Sequence, residues 1–165
     1  DGEMGREVER KFLVASDAWR GRAVRSCLMR QGYIAGSKSA SVRVRVAGED
    51  AWLNIKSGGL VASRAEYEYR IPLADAHELL DTLCERPPVT KTRHWVPHSG
   101  FEWEVDEFHG DNAGLVVAEL ELAHHAQDFA RPDWLGQEVT EHARYYNVNL
   151  VRHPYSKWNE SERNP

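Results

Sequence analysis

The sequence predicts an α+β fold: an eight-stranded antiparallel β-barrel that forms a tunnel, with helices packed outside. Short segments in which polar and apolar residues alternate recur along the chain, and this alternation is typical of strands with two different faces. Their polar faces carry like charges in pairs, such as Arg43 and Arg45, and these pairs cost energy unless counter-ions compensate them. Long alternating strands also favour closure, because a barrel removes exposed edges.

Eight segments carry the strand pattern. They are residues 7–14, 31–35, 41–47, 51–57, 65–71, 89–96, 101–108 and 115–122. The third and fourth are expected to form a hairpin across Gly48-Glu49-Asp50. For any one strand, an ordinary sheet with one face in water is the simpler interpretation. The repeated pairs of like charge favour a barrel whose charged faces point inward.

Helical spacing is confined to a few segments. Helices are predicted at residues 16–19, 74–84 and 141–150, with one further turn after Pro154. Ser16 is a favourable N-cap for the first helix, and Leu79, Leu80 and Leu83 share one side of the second. Pro87-Pro88 ends that second helix. The two longer helices are expected to cover the apolar outer face of the barrel.

Length and composition set the outer bounds. The chain has 165 residues, 41% of them hydrophobic, which suits one domain with a substantial core. We place that domain at residues 4–165 and interpret residues 1–3, ahead of Met4, as an expression remnant. The net charge of −5 and the pI near 5.9 argue against a nucleic-acid partner. Cys27 and Cys84 form no Cys-x-x-Cys motif, which favours the reducing cytoplasm. No apolar run is long enough to span a bilayer, so no membrane partner is expected; the sequence leaves a homodimer open.

The interior charges indicate the chemistry of the tunnel. Glu7, Glu9 and Lys11 follow a Glu-x-Glu-x-Lys pattern, so all three side chains point to one face of the first strand. Carboxylate oxygens are preferred ligands of hard cations such as Mg²⁺ and Mn²⁺, whereas Arg and Lys clusters match phosphate oxygens. Together they predict a site where Mg²⁺ or Mn²⁺ bridges protein carboxylates and a small polyanionic substrate.

An ordered set of motifs runs along nearly the whole chain. It comprises Glu-Val-Glu-Arg-Lys-Phe-Leu (7–13), Arg-Gln-Gly-Tyr-Ile (30–34), Val-Arg-Val-Arg (42–45), Leu-Asn-Ile-Lys (53–56), Arg-Ala-Glu-Tyr-Glu-Tyr (64–69), Lys-Thr-Arg (91–93), Trp-Glu-Val-Asp (103–106), Ala-Glu-Leu-Glu-Leu (118–122), Gly-Gln-Glu-Val-Thr (136–140) and Tyr-Tyr-Asn-Val-Asn-Leu (145–150). This set resembles the CYTH superfamily, the triphosphate tunnel metalloenzymes, and is most similar to their short bacterial members. The resemblance implies an eight-stranded antiparallel tunnel that acts on triphosphorylated substrates with a divalent metal.

The resemblance also implies roles for the charged residues. The implied metal ligands are Glu7, Glu9, Glu66, Asp106, Glu119 and Glu121. Glu68 shares a face with Glu66, so the choice between those two stays open. The implied phosphate-binding residues are Arg43, Arg45, Lys56, Arg64, Lys91 and Arg93.

Lys11 and Tyr33 match a lysine and a tyrosine that form a proposed catalytic pair in the short bacterial tripolyphosphatases. A lysine held among other cations is expected to have a lowered pKa and so to accept or pass a proton. The phenol of Tyr33 is expected to orient that amine or an attacking water. The plainer alternatives are one more phosphate contact for Lys11 and packing of the Tyr33 ring in the tunnel wall.

The implied activity is that of a metal-dependent acid anhydride hydrolase, with inorganic tripolyphosphate as the first-choice substrate. A class IV-type adenylate cyclase would use the same tunnel with the ribose 3′-hydroxyl as nucleophile. Hydrolysis of thiamine triphosphate or a nucleoside triphosphate is a further alternative, as is a non-catalytic polyphosphate-binding module. The tryptophans can stack on a nucleobase or pack in the core, and packing is expected for nearly all of them.

Overall fold

The computed structural model describes residues 8–34, 40–57 and 65–165, and in these ranges nine strands form one antiparallel sheet. The strands are β1 (Val8–Val14), β2 (Arg25–Ile34), β3 (Ala40–Ala47), β4 (Asp50–Ser57), β5 (Glu66–Arg70), β6 (Val89–His98), β7 (Phe101–Phe108), β8 (Val116–Leu122) and β9 (Leu135–Glu138). Their order across the sheet is β5-β4-β3-β2-β6-β7-β8-β1-β9. The predicted antiparallel sheet is confirmed.

The helices are short and few. They are α1 (Leu73–Thr82), α2 (Asn147–Arg152) and α3 (Glu160–Arg163), with 3₁₀ turns at Arg20–Arg22, Gly110–Asn112, Ala143–Tyr145 and Tyr155–Lys157. Where the sequence predicts a helix at residues 16–19, the chain instead makes a turn that leads into the first 3₁₀ turn. None of the helices in the described ranges is long and apolar enough to cross a membrane.

Two strands differ from the sequence prediction. β2 begins at Arg25, whereas the sequence predicts its start at Gln31. Residues 25–30 lack strict alternation of polar and apolar residues, so the sequence pattern does not mark them as a strand. They nevertheless pair with β6, where Arg25 lies opposite Trp95. The sequence does not predict β9, because this strand has only four residues and gains its partners from β1. Tertiary pairing therefore decides both strands where local pattern is weak.

The edges of the sheet are β5 and β9, and the described residues form no hydrogen-bonded closure between these two strands. The sheet nevertheless curls. Glu68 of β5 and Arg93 of β6 line the same cavity, although three strands separate them in the sheet order. This curvature brings charged side chains from distant strands to one enclosed face, which we call the charged face.

α1 lies outside the sheet, as predicted, and buries Ala76 and Leu80 against β3 and β4. Its approach to β2 is close, because a Cβ added at Gly32 would lie 3.0 Å from the Cβ of Cys84. A side chain at position 32 would therefore press against the residues at the end of this helix. The helix ends at Thr82, earlier than predicted, and Leu83 is 60% exposed rather than packed beside Leu80.

α2 packs on the charged face, whereas the sequence predicts it on the outer face. Leu150 and Val151 belong to one buried cluster with Val89 and Phe108. Val89 is two residues from Lys91 on β6 and therefore shares its face of the sheet. At this end the charged face carries apolar side chains instead of charged ones, and α2 covers these apolar side chains.

The predicted helix at residues 141–150 is interrupted. The third 3₁₀ turn ends at Tyr145, and Tyr146 is extended with φ −71° and ψ 136°. α2 then begins at Asn147. This break places the side chain of Asn147, at the start of α2, beside Lys91 of β6, as described below.

The outer face of β1 and β6–β8 holds a second buried cluster. Phe12, Trp103 and Trp134 are fully buried there, and the rings of Phe12 and Trp103 meet edge to face with centroids 5.5 Å apart. The predicted packing of tryptophan in the core is confirmed for Trp103, Trp134 and Trp19. Because a one-residue slip would expose this cluster, its burial fixes the register that presents the charged residues on the opposite face.

Candidate active site

One end of the charged face is acidic. A pocket of about 240 Å³ is lined by glutamates from β1, β7 and β8: Glu9, Glu102, Glu104, Glu119 and Glu121. We call it the acidic pocket. The strand register places Glu9 opposite Glu121 and Glu104 opposite Glu119. Like charges in these positions repel unless a cation compensates them.

Lys11 supplies one such cation. Its Nζ donates hydrogen bonds to Glu119 Oε1 at 2.6 Å and to Glu9 Oε1 at 3.0 Å. Burial disfavours the charged ammonium, but Glu119 and Glu9 outweigh burial and raise the pKa of Lys11 above its ordinary value. The expected lowering of this pKa by other cations is wrong, because the side chains that contact Lys11 are carboxylates.

The two carboxylates that hold Lys11 differ in their environment. The side chain of Glu9 is 52% exposed, whereas that of Glu119 is 10% exposed. Burial and the nearby charge of Glu9 raise the pKa of Glu119. Burial acts in the same direction on Glu9, but Lys11 and Arg93 outweigh it and lower the pKa of Glu9. Glu9, the more exposed of the two, therefore loses its proton more readily than Glu119.

Asp106 is fully buried between two basic residues. Its Oδ2 accepts from Lys91 Nζ at 2.8 Å and from Arg93 Nη2 at 3.0 Å, and its Oδ1 accepts from Arg93 Nε at 2.8 Å. Burial opposes the charged carboxylate, but Lys91 and Arg93 prevail and lower the pKa of Asp106. Asp106 does not line the acidic pocket; it holds the two predicted phosphate-binding residues in place.

Beside the acidic pocket lies a larger cavity of about 490 Å³, which we call the arginine cavity because Arg25, Arg43, Arg45 and Arg93 line it. Burial, followed by the charges of Arg43 and Arg93, lowers the pKa of Arg45 to about 10. The Nε of Arg43 is buried without a hydrogen-bond partner among the described residues. Four guanidinium groups thus share a cavity that only two carboxylates among its lining residues, Asp50 and Glu68, face.

Tyr33 belongs to this basic region. Its hydroxyl accepts a hydrogen bond from Gln31 Nε2 at 3.3 Å, and Gln31 Oε1 accepts from Arg45 Nε at 3.0 Å. Burial raises the pKa of Tyr33. Its ring packs against the apolar cluster beneath α2. Of the two roles expected for its phenol, orientation of the Lys11 amine is not observed, since the Tyr33 hydroxyl bonds Gln31 and the Nζ of Lys11 bonds the two glutamates; orientation of an attacking water stays a prediction.

Lys56 and Glu66 face each other across β4 and β5, with Nζ and Oε1 separated by 3.9 Å. Asn54 donates to the same Glu66 carboxylate at 3.3 Å. Glu66 is thus placed beside a lysine and an amide and does not line the acidic pocket. Glu68, the alternative, lines the arginine cavity.

Residues 5–155 match the model of the family described as the CYTH domain. The chain belongs to the CYTH domain family. A relative from Acetivibrio thermocellus named inorganic triphosphatase is 48% identical over 157 residues, covering 95% of this chain and 100% of the relative. A relative of the same name from Nitrosomonas europaea is 38% identical over 151 residues, covering 88% of this chain and 96% of the relative.

The fold of this CYTH chain is also similar to solved structures. The crystal structure of the inorganic triphosphatase NE1496 matches it with a TM-score of 0.70 at 34% identity, over 91% of this chain and 97% of that one. The identities in sequence and the likeness in fold therefore cover nearly all of the chain.

Two of the residues that the CYTH resemblance assigns to the site, Glu7 and Arg64, lie outside the described residues. Conversely, Glu102 and Glu104 line the acidic pocket although the sequence prediction omits them. Their alternation with Asp106 along β7 was the available signal, since all three share one face. No comparable signal marks Gln31, because a single buried glutamine has no pattern.

The acidic pocket of this CYTH protein suits a hard cation by its chemistry, since the ligands that line it are carboxylates. Among residues 8–34, 40–57 and 65–165, no three His, Cys, Asp or Glu side chains already converge as a metal cage. Glu9 and Glu119 instead direct oxygens at Lys11. A divalent ion would therefore compete with Lys11 for these carboxylates.

Proposed function

We propose that this CYTH protein is a divalent-metal-dependent triphosphatase that hydrolyses inorganic tripolyphosphate to pyrophosphate and phosphate. The position of Arg93 carries this proposal. Its guanidinium contacts Glu104 at 2.5 Å and lies 3.8 Å from Glu119, both in the acidic pocket, and it also lines the arginine cavity. A carboxylate site for a cation thus adjoins an arginine site for phosphates, which suits a metal–triphosphate substrate. The name of the two relatives supports the same activity.

The proposed ligands of Mg²⁺ or Mn²⁺ are Glu9, Glu119 and Glu121, with Glu7 joining them through the alternation of the first strand. Such an ion supplies charge neutralisation and Lewis-acid polarisation of phosphoryl oxygens. Glu102 and Glu104 line the same pocket and are proposed to bind the ion or its water shell. We assign Glu66 instead to holding Lys56, on the strength of their contact.

The proposed phosphate-binding residues are the basic residues of the arginine cavity and of the neighbouring strand β4. Burial, followed by the charges of Arg43 and Arg93, lowers the pKa of Arg45 at the arginine cavity, which records an unfavourable setting for its positive charge. A triphosphate relieves it, because several phosphate oxygens accept charge-assisted hydrogen bonds from the guanidinium groups. Lys56 and Arg64 are proposed to extend this surface.

Lys11 and Tyr33 are the proposed catalytic residues. The raised pKa of Lys11 keeps its ammonium charged, which suits stabilisation of negative charge on the transferred phosphoryl group and the leaving pyrophosphate, and does not suit a general base. Tyr33, hydrogen-bonded to Gln31 beside the arginines, is proposed to orient the attacking water.

The test is phosphate release from tripolyphosphate in the presence of Mg²⁺ or Mn²⁺. Glu9→Ala and Lys11→Ala are expected to lower kcat/KM by at least about a hundredfold, because each removes a charged group from the reacting centre. Arg10→Gln is the matched control: Arg10 lies between these two residues in sequence, yet its side chain binds Glu138 on the opposite face. Full activity in both Glu9→Ala and Lys11→Ala, or an equal loss of activity in these two variants and in Arg10→Gln, would refute the assignment of Glu9 and Lys11 to the active site.

A second candidate, hydrolysis of an organic triphosphate, is favoured by one observation. Trp52 and Trp95 are half-buried in the wall of the arginine cavity, and the Arg25 guanidinium lies 3.8 Å from the centroid of the Trp95 ring. Such a wall suits a flat ring that carries a triphosphate. A panel of tripolyphosphate, ATP and thiamine triphosphate, scored for phosphate and cyclic AMP, separates hydrolysis from cyclisation; turnover of none of them would leave a polyphosphate-binding module.

A further inference from the structure

A chain of buried polar groups connects α2 with the arginine cavity. Asn147, the first residue of α2, accepts a hydrogen bond at its Oδ1 from Lys91 Nζ at 3.3 Å. Lys91 also donates to Asp106 at 2.8 Å. Asp106 in turn accepts from Arg93 through both carboxylate oxygens, at 2.8 Å and 3.0 Å. Lys91 and Asp106 are both 0% exposed, and Arg93 lines the arginine cavity.

The surroundings of Lys91 make its partners important. An ammonium has three N–H donors, and the structure satisfies two of them with Asp106 and Asn147. The ring of Phe108 lies 5.7 Å from the same nitrogen. Loss of a partner at a buried charge is costly, because no water replaces it. The neutral amide of Asn147 holds Lys91 without a second negative charge that would draw it away from Asp106.

The position of Lys91 affects Arg93 through a shared oxygen. Asp106 Oδ2 accepts from both Lys91 Nζ and Arg93 Nη2. The two parallel bonds between Asp106 and Arg93 fix the plane of the guanidinium. A displaced Lys91 therefore moves the carboxylate, and the carboxylate rotates the guanidinium that faces the cavity.

We propose that Asn147 is a positioning residue for triphosphate binding. It ties the start of α2 to Lys91 and, through Asp106, fixes the guanidinium of Arg93 in the arginine cavity. The inference rests on the proposed function in one respect, namely that the anion bound by Arg93 is a triphosphate.

A kinetic experiment tests the inference with a matched control. Asn147→Ala is expected to raise KM for tripolyphosphate about tenfold, the usual effect of losing one hydrogen bond to a charged group. Its kcat should stay within about twofold, because Arg93 binds substrate and transition state alike. Asn149→Ala is the control, since Asn149 also lies on α2 but donates to the carbonyl of Ala143 at 2.7 Å; KM should remain within about twofold of wild type.

A double-mutant cycle separates positioning from simple stabilisation of α2. In a Lys91→Met background, Asn147→Ala should have no further effect on KM, because the acceptor has already lost its donor. Equal rises in KM for Asn147→Ala and Asn149→Ala, or additive effects of Asn147→Ala and Lys91→Met, would overturn the proposal.

A second measurement needs neither turnover nor the Lys91→Met variant. In ¹H–¹⁵N spectra of the lysine ammonium groups, Lys91 should give a signal, because its protons are buried and hydrogen-bonded. Asn147→Ala should broaden this signal through faster exchange, and Asn149→Ala should not. An unchanged Lys91 signal in Asn147→Ala would overturn the positioning role. The expected spectra from a protein that does not cleave tripolyphosphate would support the contacts of Asn147 and refute the proposed function.

Discussion

Replacing Arg45 by methionine is expected to stabilise the protein and to weaken substrate binding. Burial, Arg43 and Arg93 lower the pKa of Arg45 from its ordinary value to about 10. At about 1.4 kcal/mol for each tenfold change in protonation, this corresponds to about 3 kcal/mol of unfavourable charge, which solvent screening reduces at this half-buried position. Loss of the hydrogen bond to Gln31 costs about 1 kcal/mol. The expected net gain in the free energy of unfolding is about 1 kcal/mol.

The sign of this effect follows from the direction of the pKa shift. A cation whose pKa is lowered by folding destabilises the folded state wherever it is charged, so the penalty is fully present at pH 7 and disappears only as pH rises through and above about 10. Removing the charge therefore stabilises the protein at neutral pH. The same substitution removes a phosphate contact and should weaken tripolyphosphate binding at least about tenfold.

Urea unfolding and isothermal titration with tripolyphosphate measure the two effects separately. Arg10→Met is the matched control, because its hydrogen bonds to Glu138 raise the pKa of Arg10 and its loss should destabilise the protein by about 0.5–1 kcal/mol without changing tripolyphosphate binding. The reasoning is refuted if Arg45→Met lowers the free energy of unfolding as Arg10→Met does, or if it binds tripolyphosphate as tightly as wild type.

Three further predictions concern the same architecture. Asp106→Asn should lower the free energy of unfolding by about 3–5 kcal/mol in urea titrations, because it leaves two buried cations without their carboxylate; near wild-type stability would contradict this. Gly32→Ala should lower the free energy of unfolding by about 1–3 kcal/mol, because the added Cβ would lie 3.0 Å from the Cβ of Cys84. Gly21→Ala is the control: its added Cβ would have no neighbouring atom within 4 Å, so the free energy of unfolding should change little. Activity should be lost in EDTA and restored by Mg²⁺ or Mn²⁺. Glu119→Gln should need about tenfold more metal to reach its half-maximal rate, because it lacks one charged ligand. An unchanged metal requirement in this variant would exclude Glu119 as a ligand.

The alternation of polar and apolar residues predicted the sheet and the face on which the site lies. Glu9 and Lys11 share a face of β1 by spacing alone, and Glu119 and Glu121 do so on β8. That these two pairs meet depends on the register between β1 and β8, which places Lys11 opposite Glu119. The register is set by burial of the outer cluster and could not be obtained from either strand alone. The direction of the Lys11 pKa shift could therefore not be predicted from the local sequence pattern.

The position of α2 shows a second limit of local pattern. Leu150 and Val151 give this short helix an apolar side, which is equally compatible with the outer face of the sheet and with the apolar end of the charged face. The choice depends on Val89 and Phe108, which continue the charged face of β6 and β7 as an apolar surface. Because these contacts join residues far apart in sequence, the approach of Asn147 to Lys91 could not be predicted.

A crystal structure of the wild-type protein with Mn²⁺ and tripolyphosphate tests the central proposal most directly. Anomalous scattering should place Mn²⁺ within about 2.0–2.3 Å of carboxylate oxygens of Glu9, Glu119 or Glu121, and the phosphate chain should contact Arg43, Arg45 and Arg93. Manganese bound away from the acidic pocket, or a phosphate chain outside the arginine cavity, would contradict it.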